Sequence, residues 1–468
     1  MGRLLNRREF TALAAASLAG GRAARAAAPT EGQAMDRPNV LWLIAEDMCP
    51  DLGCYGQALN HTPHLDRLAA EGIRFTHAYS AAPVCSTSRS ALQTGMYPIT
   101  IGVHHHRSHR SDGYRLPEGV RLFSEVFREH GYFTCNATYR GRGRFRPGKT
   151  DFNFSCDQPF DGIEWRERAP GQPFFAQVNF NEAHRGGTWD EVRKRENRLD
   201  PARVALPPYY PDDPVVRENV ATYLEVISQL DVKVGEVLGR LEEDGLTENT
   251  LVFFLGDHGR CLIRGKQWLY DAGIHVPLIV RRPGRLDAGT VCDDLASLID
   301  VGPSALRWAD IVLPERCEGR PLLDPKTPPR TCVFAARDRC DETRDRIRCV
   351  RTQRYKYIRN FMPERPYTQS NRYIESHYPT LAILKRRHAE GTLTPAQALF
   401  MQPRKPGEEL YDLETDPHEV CNLAESSAHK GVLDELRGTL GAWLEDTGDL
   451  GALPEDAAAI FHEPKARR

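Results

Sequence analysis

Short apolar runs that stop abruptly at acidic or histidine-bearing turns set the rhythm of this chain. Residues 40–45 (VLWLIA), 173–180 (PFFAQVNF), 250–255 (TLVFFL) and 276–280 (VPLIV) read as strands buried on both faces. Between them the period changes to helical. Residues 64–72 close on Gly72, a second helix is opened by Cys85, and residues 120–130 close at Gly131. Over residues 216–244, Tyr223, Ile227, Leu230, Val234, Val237, Leu238 and Leu241 keep one apolar face. This alternation predicts an α/β domain over residues 37–328, a large mixed, mainly parallel sheet with helices on both sides. Residues 329–455 change character. Residues 348–358 alternate like a strand pair, 409–413 form another short strand and 433–444 a closing helix, which predicts a smaller antiparallel-sheet α+β subdomain. Residues 361–408 show little periodicity and read as a long decorated loop.

In open sheets of this kind the reactive groups sit beyond the strand carboxyl ends. Glu46 and Asp47 follow the first run, His184 the second, and Asp257 and His258 the third. Acidic strand ends far apart in sequence suit a hard divalent cation. The overall charge adds little: 62 basic against 64 acidic side chains give −2, which points away from a nucleic-acid partner. The first residues change the picture more. Asn6-Arg7-Arg8-Glu9-Phe10, a weakly apolar stretch (TALAAASLAGG) and small residues in GRAARAAAPT read as a twin-arginine export signal over residues 1–28. That implies passage through the twin-arginine translocase to the periplasm or outside. The stretch is too short to span a bilayer, so an integral membrane protein is not expected. Twelve cysteines occur without a CxxC pair, so neither a zinc ribbon nor a thioredoxin-like motif is supported.

Cys85-Ser86-Thr87-Ser88-Arg89, closed by Thr94-Gly95, resembles the signature of the formylglycine-dependent sulfatases of the alkaline phosphatase superfamily. AEDMCPDLGCYG resembles the family's first metal motif. GDHG with Arg264-Gly265-Lys266 resembles the second, and ELYDLETDPHEVCNLA the C-terminal signature. The resemblance covers nearly the whole mature chain and leans toward the bacterial glycosaminoglycan and N-sulfoglucosamine branch. It implies an alkaline phosphatase-like fold and hydrolysis of sulfate esters or N-sulfates of a carbohydrate. Cys85 would be converted by a formylglycine-generating enzyme to the aldehyde whose hydrate attacks sulfur. Glu46, Asp47, Asp257 and His258 would hold a divalent cation together with position 85: Ca²⁺ first, with Mg²⁺, Mn²⁺ and Zn²⁺ open. Arg89 would orient the nucleophile, and Lys266 and Lys149 would bind sulfate oxygens. His184 or His105 would protonate the leaving atom. His104, beside His105 in IGVHHHRS, would line the sulfate pocket, and Asp151 stands where the family carries a histidine.

This chain departs from the pattern at Thr87, where Pro or Ala is usual, at Glu46 for Asp, and at His258 for Asn. TYRGRGRFRPG (residues 138–148) reads as an insertion, either a solvated loop or a basic lip for a polyanion. Two other functions fit the same residues: a phosphonate or phosphodiester hydrolase, or a non-catalytic sulfoglycan-binding protein if Cys85 stays unmodified.

Overall fold

The computed structural model describes residues 37–460, so the export signal expected over residues 1–28 lies outside the described residues. The larger unit carries strands β1 (Asn39–Ala45), β2 (Ile73–Tyr79), β3 (Phe133–Tyr139), β4 (Phe145–Pro147), β5 (Phe174–Phe180), β6 (Thr250–Gly256), β7 (Leu278–Arg281) and β8 (Thr290–Ser297). Its helices are α1 (Pro63–Ala70), α2 (Cys85–Thr94), α3 (Phe123–Glu129), α4 (Gly187–Arg193), α5 (Pro214–Glu243), α6 (Asp271–Ile274) and α7 (Val301–Trp308). The eight strands form one mixed sheet in the order β4-β3-β5-β1-β6-β7-β2-β8.

Successive side chains of β1 point to opposite faces, and both faces are dry. Leu41, Leu43 and Ala45 join the core that α5 covers, whereas Val40, Trp42 and Ile44 join the core under α3 and α7. Each fully buried large side chain contributes about 1.5–3 kcal/mol. Trp42 packs edge-on against Phe175 at 4.9 Å between ring centroids. The parallel register sets the position of the site: Ala45 lies opposite Phe180 of β5 and Gly256 of β6, so these three strands end level with one another. The chain therefore leaves the same sheet edge at Glu46, Asn181 and Asp257.

The 276–280 run forms the expected buried strand as β7, which starts after Pro277 and runs antiparallel to both β6 and β2, making the sheet mixed. A buried apolar run does not encode its own direction, and the β6–β7 connection holds only the four-residue α6. Residues 361–408 are not a plain loop. They contain α8 (Arg372–His377), α9 (Pro379–Ala389) and α10 (Pro395–Ala398). Helix α9 buries Leu381, Ile383 and Leu384, and Asn219 of α5 donates to Thr380 at 3.3 Å.

The second sheet contains β9 (Val333–Arg337), β10 (Ile347–Arg351), β11 (Tyr355–Asn360) and β12 (Glu408–Asp412), antiparallel in the order β12-β11-β10-β9. Helix α11 (Lys430–Thr447) lays Leu433, Leu436, Leu440 and Trp443 into one apolar cluster with Val350, Tyr357 and Leu410. Ala81, Tyr97 and Ile99, which flank α2, belong to the same cluster and join the two units. Among the described residues no helix is long and apolar enough to cross a membrane.

Candidate active site at the carboxyl edge of the large sheet

Cys85 is the first residue of α2, preceded by Val84 in extended conformation, and every residue of this helix is buried. The free N–H groups of the first turn and the positive end of the helix dipole therefore face the space around the Cys85 side chain. The thiol is surrounded by three groups from strand ends and loops. Its Sγ lies 3.2 Å from His258 Nε2, 3.3 Å from Lys266 Nζ and 3.8 Å from Asp47 Oδ1. Lys266 Nζ also reaches Asp47 Oδ1 at 2.9 Å and Oδ2 at 3.1 Å.

Backbone geometry holds the carboxylates. Asp47 adopts φ 55°, a left-handed turn that Asp tolerates better than most residues, and its N–H donates to Asp257 Oδ1 at 3.0 Å. Gly259 permits the close backbone approach of Ala272 that a Cβ would block. Arg89, one helical turn after Cys85, spans the nest from below. Its Nε donates to Asp257 Oδ2 at 3.0 Å, its Nη1 to Asn179 Oδ1 at 2.6 Å, and its Nη2 to Glu46 Oε1 at 3.5 Å. Lys149 closes the other side, with Nζ 3.3 Å from Glu46 Oε2 and 3.4 Å from Asp151 Oδ2; Asp151 is also paired with Arg110. Nine of the residues singled out in the sequence thus form one connected network: Glu46, Asp47, Cys85, Arg89, Lys149, Asp151, Asp257, His258 and Lys266.

The electrostatics are those of a crowded ionic site. Burial alone would push the His258 imidazole down, but the anionic charge of Asp257, Cys85 and Asp47 outweighs it and raises the group to about 10. Burial works against ionisation of Asp47 too, yet Lys266, His184 and His258 hold its carboxyl well below the usual range. Asp47, Cys85 and His258 present ligand atoms within 4.8 Å of one another, all buried. His258 Nδ1 lies 3.0 Å from the Gly259 carbonyl, so a Nδ1–H donated there aims Nε2 at the same space, where a bound cation would displace the Nε2 proton that now faces Asp47. These residues fit a divalent cation.

His184 sits at the rim, with Nδ1 3.0 Å from the Arg185 carbonyl. Burial and the charge of Lys266 lower its pKa. The structure does not bring His104 or His105 into the network. Their rings lie 4.3 Å apart, and His105 Nδ1 accepts the Arg339 N–H at 3.1 Å and faces Glu455 at 3.8 Å.

Sequence reasoning missed several neighbours. Asn179, which orients Arg89, was visible only as one of two polar residues, with Gln177, inside a mainly apolar strand. Asn153 donates to the His105 carbonyl at 2.5 Å and to Thr87 Oγ1 at 3.4 Å, tying the histidine loop to α2. His106, the third of the histidines, pairs through Nδ1 with Asp341 at 3.0 Å. Asp341 also accepts from Gln267, the neighbour of Lys266, at 3.0 Å and from Asn371 at 3.4 Å. Tyr373, at the start of α8, places its ring centroid 5.5 Å from Lys266 Nζ and 6.2 Å from the His184 ring.

Comparison with known proteins gives a consistent result. Residues 38–311 match the family described as Sulfatase, and residues 256–368 match the C-terminal region of N-sulphoglucosamine sulphohydrolase. An ulvan-active sulfatase of Formosa agariphila is 36% identical over 91% of this chain and 78% of its own length. The human N-sulphoglucosamine sulphohydrolase is 27% identical over 88% of this chain and 90% of its own. Among solved structures, a 2-O GAG sulfatase superposes with a TM-score of 0.63 at 22% identity, covering 92% of this chain and 97% of the other; at that identity the likeness is one of fold.

Proposed function

We propose, from the premise that the chain belongs to the sulfatase family, that it removes sulfate from a sulfated carbohydrate of glycosaminoglycan or ulvan type. The observation that carries this reading is Cys85 at the first position of α2, ringed by Asp47, His258 and Lys266. Formylglycine at position 85 would supply a hydrated aldehyde as nucleophile, and a divalent cation held by Glu46, Asp47, Asp257, His258 and position 85 would polarise it and the sulfate. Carboxylates outnumber imidazole in this ligand set, which favours calcium over softer ions.

The chain's own groups do the rest. Arg89 fixes the carboxylates of Asp257 and Glu46 and neutralises charge beside position 85. Lys266 and Lys149 approach from opposite sides and stabilise charge on the sulfuryl oxygens. Burial alone would strip both of their protons, but neighbouring charge outweighs it: Asp47 and Cys85 raise Lys266, and Cys85, Glu46 and Asp151 raise Lys149. His184, whose pKa is pushed down by burial and Lys266, lies at the rim, where its imidazole would exchange a proton with the leaving oxygen or nitrogen. Asp151 keeps Lys149 in place. The twin lysines favour a sulfate monoester over a phosphodiester: both are monoanions, but the sulfuryl group offers three non-bridging oxygens and the phosphodiester two, so a second lysine finds an oxygen more readily on the former. We further propose export through the twin-arginine route to the periplasm or beyond, supported by Arg7-Arg8 and the small-residue stretch that follows.

The test begins with mass spectrometry of the tryptic peptide from Phe75 to Arg89 after co-expression with a formylglycine-generating enzyme. Aldehyde at position 85, with sulfate release from a sulfated monosaccharide but no matching phosphate release, supports the reading. Unmodified cysteine despite a competent enzyme points to a binding protein, and faster phosphodiester cleavage points to the other hydrolase class.

A further inference from the structure

The β3–β4 hairpin carries four arginines that the sulfuryl chemistry leaves unused. β3 is parallel to β5, so its carboxyl end opens on the same sheet edge as Asp47, His184 and Asp257. The chain turns there through Gly141, Arg142 and Gly143, all at positive φ, and returns along β4 to Lys149. Arg140, Arg142, Arg144 and Arg146 are exposed. The one side-chain contact of Arg140 is with Asn181 Oδ1 at 3.5 Å, and Arg144 Nε reaches only the Gly141 carbonyl at 3.4 Å.

Among the described residues, no carboxylate forms an ion pair with any of the four. Some exposed arginines elsewhere are matched, such as Arg166 with Asp244 at 2.6 Å, Arg354 with Asp412 at 2.7 Å and Arg437 with Glu408 at 2.8 Å, and those without a carboxylate partner, such as Arg203, Arg344 and Arg404, are scattered singly along the chain rather than gathered on one turn. A carboxylate is at hand in the hairpin as well, but Glu236 of α5 accepts instead from the Arg142 backbone N–H at 3.0 Å and the Tyr139 hydroxyl at 2.8 Å. Phe145 packs on Tyr139 and Trp165. The backbone and the aromatic side chain are thus pinned down, while among the described residues the exposed guanidinium groups of Arg142, Arg144 and Arg146 have no ion-pair partner and Arg140 feels only the nearby Glu182. Edge-strand charge also deters sheet-to-sheet pairing, but that role does not require a rigid turn leading into Lys149.

Resting on the sulfatase reading, we infer that this hairpin is a second anion-binding subsite, holding sulfate or carboxylate groups of the same glycan chain on residues next to the one being desulfated. The enzyme is then built for a polyanionic oligosaccharide or polymer rather than a monosaccharide. Planar guanidinium groups suit such oxyanions.

The test compares Arg142→Ser/Arg144→Ser/Arg146→Ser with the same triple change to Lys. KM and kcat are measured on a sulfated polysaccharide and on a small aryl sulfate too short to reach the hairpin. The serine variant should raise KM for the polymer about tenfold with kcat kept, should turn over the aryl sulfate normally, and should lose most of the salt dependence of KM. The lysine variant should fall between. Unchanged polymer KM, or equal loss on both substrates, overturns the proposal. Elution of the Cys85→Ala protein from immobilised sulfated polysaccharide reads the hairpin without catalysis. If the mature enzyme cleaves no sulfate ester, the family-based activity fails, while an earlier elution of the serine triple in this background still supports the subsite. Equal retention on RNA or polyglutamate overturns it.

Discussion

The site has an inner nest and an outer wall, and they are built on opposite principles. The nest, formed by strand ends and α2, is a closed ionic network in which Arg89 alone contacts Asp257, Asn179 and Glu46. The wall, formed by the histidine loop and the C-terminal unit, leaves more buried polar atoms unmatched: among the described residues His104 Nδ1, His105 Nε2, His106 Nε2 and the Tyr373 hydroxyl find no hydrogen-bond partner, whereas in the nest Asp151 Oδ2, unmatched by a hydrogen bond, still has its ion pair with Lys149. Buried polar groups are rarely left so. A saturated network fixes geometry for one reaction, whereas an unsaturated one keeps its donors and acceptors for something that arrives. On the proposed function, the contrast leads to the expectation that sulfuryl transfer belongs to the nest and recognition of the sugar to the wall.

The largest effects should come from the nest. Cys85→Ala should lower sulfate release by about ten-thousandfold or more, since the nucleophile itself is removed, with little change in Tm. Residual turnover within tenfold of wild type would mean that position 85 is not the nucleophile. Lys266→Ala should lower kcat by about 10²–10³, because it removes a cation from the sulfuryl oxygens and leaves Asp47 without its 2.9 Å partner. A pure KM effect would move Lys266 from the nest to the wall.

The two regions also differ in how far they can be read from the chain. The nest was legible because a buried parallel strand ends in a conspicuous polar step, and Glu46-Asp47 and Asp257-His258 announce themselves against VLWLIA and TLVFFL. Its supports were less visible. Asn179 and Gln177 interrupt β5, and only their amide contacts with Arg89, Asn136 and Gln93 explain why polar groups belong there. The wall was nearly invisible. Helix α9 presents Thr380, Leu381, Ile383 and Leu384 without a clean helical stripe, so its period is weak. Asn371 and Tyr373 reach the site only through contacts with Gln267 and Lys266, more than a hundred residues away. Long-range contacts of that kind leave no local pattern. The histidine run drew attention to His104 and His105, but spacing alone could not show that His105 accepts from Arg339 and faces Glu455 while His104 lies near Arg348 and Asp449.

Acid sensitivity gives a smaller effect that belongs to the wall. Burial, reinforced by Arg348, pushes His104 down to about 3, and burial with His104 does the same to His105. The unfolded imidazoles titrate near about 6.5. The folded pKa lies below the unfolded one, so the unfolded chain binds more protons between the two values. Stability is full above about pH 6.5 and declines as the pH falls toward 3. The double variant His104→Gln/His105→Gln should flatten that decline by about 2–3 kcal/mol for each histidine, read from denaturant unfolding at pH 7 and 4.5. An unaltered slope would show that the Asp338, Asp449 and Glu455 carboxylates around the pair dominate instead.

The smallest effect sharpens the boundary itself. Tyr373 touches both regions, with its ring near Lys266 and His184 and its buried hydroxyl unpartnered. If it belongs to the wall, Tyr373→Phe removes one hydrogen bond to the sugar and should raise KM about three- to tenfold, in line with about 1 kcal/mol per bond, with kcat unchanged. Tyr373→Ala should add a loss of shape selectivity between sulfated sugars without approaching the Lys266→Ala defect. A kcat loss in Tyr373→Phe would show that the hydroxyl acts on the reacting group, and the nest would then extend into the C-terminal unit through α8.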